Sequence, residues 1–68
     1  MSKFRAGLYI RATYLDYSIG RIVGLHHAGA YQRWVVEVDL HGVRTRAILG
    51  EDEMDLLSPL EQIALAEE

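Results

Sequence analysis

The side chains that most often carry chemistry are sparse in this chain. It has three histidines (His26, His27, His41), a carboxylate run at Asp52, Glu53 and Asp55, three serines, four tyrosines and no cysteine. Adjacent histidines on a strand point to opposite faces, so His26 and His27 cannot share one metal ion without a bulge. His41 precedes Gly42 in what reads as a tight turn, where positive φ is required and His is tolerated. Asp52, Glu53 and Asp55 have the composition for acid–base work or for Ca²⁺. No glycine-spaced cation loop surrounds them, however, so a solvated acidic turn is the expectation. Ser2, Ser18 and Ser58 lack G-x-S-x-G surroundings. Gly20 and Gly24 stand without the Lys-Ser or Lys-Thr pair of a phosphate loop. The sequence predicts no catalytic residue, no cofactor and no metal site.

The element that must position everything else is Trp34 to Leu49, WVVEVDLHGVRTRAIL. It reads as a β-hairpin turning at His41-Gly42. Pairing outward from the turn sets Leu40 against Val43, Val38 against Thr45, Val36 against Ala47 and Trp34 against Leu49, all on one face. The other face sets Asp39 against Arg44 and Glu37 against Arg46. A slip of one residue would bury four charges, so the pattern specifies its own register.

Around the hairpin, Met1 to Ala6 is expected to be a loose arm anchored by Phe4, and Gly7 to Thr13 a first strand. Leu8, Ile10 and Ala12 should face one way and Tyr9, Arg11 and Thr13 the other. Tyr14 to Ser18 is a loop. Ile19 to His27 is a second strand whose glycines, Gly20 and Gly24, mark a bend, a bulge or a close approach. Ala28-Gly29-Ala30 makes the turn into the hairpin. Gly50 to Met54 reads as one 3₁₀ turn, and Asp55 to Leu57 as a short closing strand. Ser58 is an N-cap, Pro59 the first helical residue and Glu61 the partner of a capping box for a helix to about Ala66. Glu67-Glu68 opposes the helix dipole, so fraying is expected there. The apolar residues Leu60, Ile63, Ala64 and Leu65 need a surface to pack on.

These elements predict a mainly β fold: a small SH3-like antiparallel barrel of about five strands over residues 1–57. A short C-terminal helix over residues 58–68 would pack on the barrel or on a partner. Sixty-eight residues is one domain, small enough for marginal stability, and without cysteine no disulfide can supplement it. The formal net charge is −3. Seven carboxylates and no Lys or Arg fall in residues 51–68, while all seven basic residues lie at or before Arg46. This asymmetry counts against a general nucleic-acid footprint without excluding a local basic face. The N-terminal stretch MSKFRAGLYIRA has no apolar core for a signal peptide, and no run approaches a membrane span. The expected location is cytoplasmic, to which the lack of cysteine adds.

Phe4, Gly7, Ile10 and Arg11, followed by Gly20-Arg21-Ile22-Val23-Gly24, resemble the first half of the plasmid-borne type II dihydrofolate reductases. Those begin F-x-x-G-x-x-V-R and carry G-Q-I-V-G at the same spacing. After one small gap, Trp34-Val35-Val36-Glu37 is similar to their Y-A-V-E. The resemblance implies a small SH3-like barrel. That family's V-Q-I-Y signature falls on Arg46-Ala47-Ile48-Leu49, and its lysine after V-R falls on Ala12. The groups that would hold a pterin and a nicotinamide are therefore absent. The stretch from Trp34 to Pro59 also resembles a family of uncharacterised small bacterial SH3-like proteins, through Val36-Glu37-Val38, Leu40-His41-Gly42 and Leu57-Ser58-Pro59. That resemblance implies a fold and no activity.

On a barrel of this kind, aromatic side chains beside the first loop form grooves for peptides or bases. Tyr14 and Tyr17 are the best groove candidates and Tyr9 the next, with Arg11 and Arg21 as a basic rim to which Arg5 and Arg33 could add. Trp34 belongs to the core by its register. Leu60, Ile63 and Leu65 are the candidate interface. The expected function is a non-enzymatic binding or assembly module that self-associates or docks on a partner protein. The alternatives are a nucleic-acid-binding barrel and a divergent pterin- or nucleotide-binding relative of the reductases.

Overall fold

The computed structural model describes residues 2–27 and 29–67. The parts of the expected arm, turn and helix end that fall on Met1, Ala28 and Glu68 lie outside these. Five strands run in chain order: β1 (Tyr9–Ala12), β2 (Ser18–His27), β3 (Arg33–Leu40), β4 (Val43–Gly50) and β5 (Met54–Leu56). A 3₁₀ turn (Glu51–Glu53) joins β4 to β5, and α1 (Pro59–Ala66) ends the chain. The strands form one antiparallel sheet in the order β4-β3-β2-β1-β5.

The hairpin has the expected register throughout. Leu40 opposes Val43, Asp39 opposes Arg44, and the pairing continues to Trp34 against Leu49 and Arg33 against Gly50. His41 and Gly42 take φ of 53° and 86°, the two left-handed residues that a two-residue turn of this twist demands. On the inner face Trp34, Val36, Val38 and Leu49 are buried, joined by Ile10 and Ala12 of β1, Ile22 of β2, Met54 of β5 and Phe4 from the arm. Val43 departs from the expected inward set. It sits beside the turn, beyond the reach of the core, and is exposed.

Both glycines of β2 act as their positions suggest. Gly20 lies opposite Val38. A Cβ there would come within 2.5 Å of Val38 Cγ1 and 2.8 Å of the Glu37 carbonyl oxygen. Only hydrogen fits, and the valines of β3 close onto the β2 backbone because of it. Gly24 sits at the first of two register shifts, between Ile22 and Gly24 and between Leu25 and His27. These bend β2 along its length.

The expected barrel does not close. β4 and β5 are the two free edges of the sheet, and they are linked by the 3₁₀ turn rather than by a ladder. β1 contributes four residues and β5 three. Such short ladders give too few rungs to carry the stagger that closure requires. The fold is therefore an open, bent five-stranded sheet plus a helix.

The helix leaves its apolar face, expected to pack on the barrel or on a partner, largely uncovered within this chain. Its capping box forms as expected: the Glu61 amide donates to Ser58 Oγ at 3.2 Å, and the Ser58 amide donates to Glu61 Oε1 at 3.2 Å. Yet Leu60 and Ile63 are 80% and 56% exposed, and only Leu65 is half-buried. The attachment is polar. The Tyr9 amide donates to Gln62 Oε1 at 2.8 Å, and Gln62 Nε2 donates to the Tyr9 carbonyl at 2.6 Å and to the Leu57 carbonyl at 3.3 Å. β5 pairs with β1 only as far as Leu56 opposite Ile10. The Leu57 amide still donates to the Tyr9 carbonyl at 3.3 Å, and the Gln62 side-chain amide completes the rung by accepting from the Tyr9 amide and adding a second donor to that carbonyl. No helix among the described residues is long and apolar enough to cross a membrane.

Candidate functional site

The five expected groove residues are divided by the structure. Tyr9 and Arg21 stand side by side on β1 and β2, and the Arg21 guanidinium lies 5.4 Å from the Tyr9 ring centroid. They line a shallow depression of about 290 Å³ with Ile19, Glu37, Asp39 and Arg44. Arg11 Nη1 donates to the Tyr17 carbonyl at 3.2 Å, so the arginine braces the loop backbone. Tyr17 and its neighbour Asp16 hold left-handed φ of 56° and 55°, and the Tyr17 ring is exposed. Tyr14 belongs elsewhere, in a larger cleft at the other end of the first loop.

That cleft has a volume of about 750 Å³. It is lined by Tyr14, by the segment Ala30-Tyr31-Gln32-Arg33 entering β3, and by Gly50, Glu51, Asp52 and Glu53. The register explains the meeting. Arg33 is the partner of Gly50 at the open end of the hairpin, so the entry to β3 and the exit from β4 are brought together. The acidic turn is fixed from three sides. Trp34 Nε1 donates to Glu51 Oε2 at 3.0 Å, and the Ser2 hydroxyl donates to the same oxygen. The Gly50 amide donates to Glu53 Oε1 at 2.9 Å. Thr13 Oγ1 and the Thr13 amide both donate to the Glu53 carbonyl, at 3.1 and 3.3 Å. Arg33 Nη1 reaches Glu53 Oε1 at 3.9 Å.

Three features of the cleft lack partners. Tyr14 and Tyr31 are 73% and 83% exposed. Asp52 takes no ion pair or hydrogen bond among the described residues. Gln32 Oε1 is buried without a donor among the described residues. Buried acceptors are rarely left so, because the lost hydration costs about 1–3 kcal/mol.

Arg33 was expected only as an addition to a basic groove rim, Tyr31, Gln32 and Glu51 were not named as groove residues, and the sequence did not bring the four together as one site. The hairpin register held a usable signal for two of them, since one rung beyond Trp34–Leu49 sets Arg33 beside the acidic turn. Tyr31 and Gln32 lie in irregular chain and gave none. The histidines are exposed, and His41 Nε2 lies 3.5 Å from Asp16 Oδ2, linking the hairpin turn to the first loop. No group of three His, Cys, Asp or Glu among the described residues is placed to hold a metal ion.

No family model, curated protein or solved structure matches the chain.

Proposed function

We propose that the chain is a non-catalytic docking module whose working surface is the cleft between Tyr14, Tyr31 and the acidic 3₁₀ turn. The observation that carries this reading is the pair of uncovered tyrosines flanking a turn that the rest of the protein holds rigid. Aromatic rings with little side-chain entropy to lose, set beside a fixed polar frame, suit recognition of another chain. The exposed pair Leu60 and Ile63 on α1 supports a second contact, with a further copy or a different protein. The strand order, with one 3₁₀ turn joining the two edge strands, supports an SH3-like arrangement left open.

The nucleic-acid reading has less support. Arg46 is engaged by Glu37 at 3.1 Å, Arg33 by Glu53 and Arg11 by Glu61, both at 3.9 Å, while Arg21 lies over Tyr9. Arginines held by the protein's own acids release few counterions on meeting phosphate.

Selection from a displayed peptide library tests the docking reading. Recovery of peptides whose retention is lost with Tyr31→Ser supports it, and a library yielding only Tyr31-independent binders removes it. Light scattering across chain concentrations decides self-association: a mass that grows with concentration favours it, and a constant monomer leaves docking on a different protein.

A further inference from the structure

We infer that two copies of the chain join through the free edge of β4, antiparallel, with Ile48 facing Ile48 across a two-fold axis, an inference that does not rest on the docking reading above. The two edges of the sheet are unequal. β5 offers three residues. β4 offers eight, in unbroken register with β3 and without a bulge or a proline. A two-residue turn closes on a hydrogen-bonded pair, here Leu40 and Val43, and such pairs alternate with open ones. Val43, Thr45, Ala47 and Leu49 therefore bond to β3, while Arg44, Arg46, Ile48 and Gly50 turn their amides and carbonyls outward. Glu53 caps the Gly50 amide at 2.9 Å. The outward amides of Arg44, Arg46 and Ile48 meet no acceptor among the described residues. A long edge of unpaired backbone is a template for another strand.

Charge selects a second copy as the occupant and sets the register. Outward residues must face outward residues, and Arg46 against its own copy would appose like charges. With Ile48 against Ile48, Arg46 of each copy faces Gly50 of the other. Gly50 has no side chain, and the place its Cβ would take lies 2.8 Å from Asp52 Oδ1 and 3.3 Å from Glu53 Oε1. The acidic turn thus sets carboxylates where a side chain of residue 50 would stand, at the cross-strand spacing of about 5 Å from Arg46 of the other copy. Arg46 holds Glu37 through Nε and Nη2, and its Nη1 has no partner among the described residues. Within one chain Arg46 and Gly50 lie along the same strand, about 13 Å apart, so this pair forms only between copies. The apolar side chains favour the same register. Val35 lies directly opposite Ile48, which is 47% exposed, and the dimer joins them into one stripe, Val35–Ile48–Ile48–Val35, across both sheets. Setting Arg46 against Ile48 instead would cut that stripe. The interface is isologous, so it closes at two copies.

Sedimentation equilibrium of the intact chain and of two charge-reversed variants tests this. The parent should pass from monomer to dimer as concentration rises. Arg46→Glu and Asp52→Lys each set like charges at both symmetric contacts, so each alone should dimerise at least about tenfold more weakly. Mixed in equal amounts, the two variants should regain the parent's affinity, because both contacts again join opposite charges. Asp52 is exposed, so its variant should keep the parent's thermal midpoint and can be read alone if Arg46→Glu, which also faces Glu37, loses its fold. Amide exchange reports the register: the Arg46 and Ile48 amides should slow on dimerisation, and the Arg44 amide should not.

A mass that stays monomeric at millimolar concentration would overturn the inference. So would a dimer that both variants leave intact, or a dimer that Leu60→Ser dissolves while the Ile48 amide exchanges at its monomer rate, which would place the contact on α1. Protection of Ile48 by a peptide selected from the displayed library, with the chain itself monomeric, would give the edge to a different protein and overturn the assignment to a second copy. None of these results bears on Tyr31-dependent peptide retention, so the docking reading stands or falls by its own test.

Discussion

On the outer face of the sheet, Tyr9, Arg21, Glu37 and Arg46 stand in one row across four strands, each directly opposite the next. In the cleft, Tyr14, Tyr31, Arg33 and the acids of the 3₁₀ turn present the same residue types. The row is closed on itself. Arg21 covers Tyr9 and donates to the Gly7 carbonyl at 3.3 Å, while Arg46 donates to Glu37 through Nε and Nη2. The cleft is left open: among the described residues its rings are bare, Asp52 has no partner and a buried acceptor has no donor. Composition alone does not separate the two regions. Their difference is whether the partner of each charge is already supplied by a neighbouring strand.

If that contrast is set by strand register, breaking the register should have the largest effect. Gly20 is where β2 and β3 approach most closely. Gly20→Ala places a methyl group against Val38, Val36 and a backbone carbonyl, none of which can retreat without opening the ladder. The expected cost is about 3 kcal/mol, at the upper end of overpacking effects. Denaturant unfolding with amide exchange on β2 and β3 measures it. Gly24→Ala is the control, because a Cβ at Gly24 meets nothing within 4 Å. Equal losses in the two variants would show that register is not what Gly20 protects.

The second effect concerns the helix. Replacing Gln62 by leucine keeps bulk but removes both hydrogen bonds to the Tyr9 backbone. An apolar contact would tolerate the change. A polar latch would not, and the expected loss is about 1–2 kcal/mol, with the Tyr9 amide exchanging faster. Unchanged exchange at Tyr9 would mean that the helix is held by something other than Gln62. If α1 detaches, Arg11 also loses Glu61, its partner at 3.9 Å, and the outer face becomes more basic.

How much of this was legible in the residues follows from the kind of signal each feature leaves. The hairpin was readable to the rung, because alternation over sixteen residues and a His-Gly turn permit one register. The capping box at Ser58 and Glu61 was readable because capping is local. Barrel closure was not, since it depends on ladder lengths at β1 and β5 that strand propensity does not fix. The Gln62 latch left no pattern: a glutamine on a helix looks like a solvated side chain until the backbone opposite it is known. The cleft was half legible. Tyr14 stood out as an aromatic in the first loop, but Tyr31 acquires meaning only once the hairpin's open end is placed beside Glu51.

A smaller effect belongs to the helix cap. Glu61 accepts from the Ser58 amide and hydroxyl, and these bonds, with Arg11 nearby, hold its carboxyl below the ordinary glutamate range. The shift is downward. Its contribution to folding is therefore complete above the ordinary carboxylate pKa and is lost as pH falls through the lowered value. Ser58→Ala removes the hydroxyl and should cost about 1 kcal/mol near neutrality. The difference between parent and variant should shrink in acid, as seen by helix ellipticity against pH. A gap that stayed constant would show that the cap acts without the Glu61 charge.

The smallest effect sharpens the opening contrast most. The Glu37–Arg46 pair is well formed, with both guanidinium nitrogens within 3.2 Å of one carboxylate oxygen, yet Arg46 is largely in solvent. Solvent screening limits such pairs to roughly 0.2–1 kcal/mol. Glu37→Gln should therefore lower stability by no more than about 0.5 kcal/mol, and added salt should reduce the difference further. Its more telling consequence is on charge. The substitution frees Arg46, and beside it Arg21, on the face where the row was self-satisfied. If closure of that row is what keeps the outer face from binding anions, Glu37→Gln should gain salt-dependent affinity for an oligonucleotide that the parent lacks. A parent that already binds as tightly as the variant would show that the arginines were never occupied by their neighbours in solution, and the contrast between row and cleft would not hold.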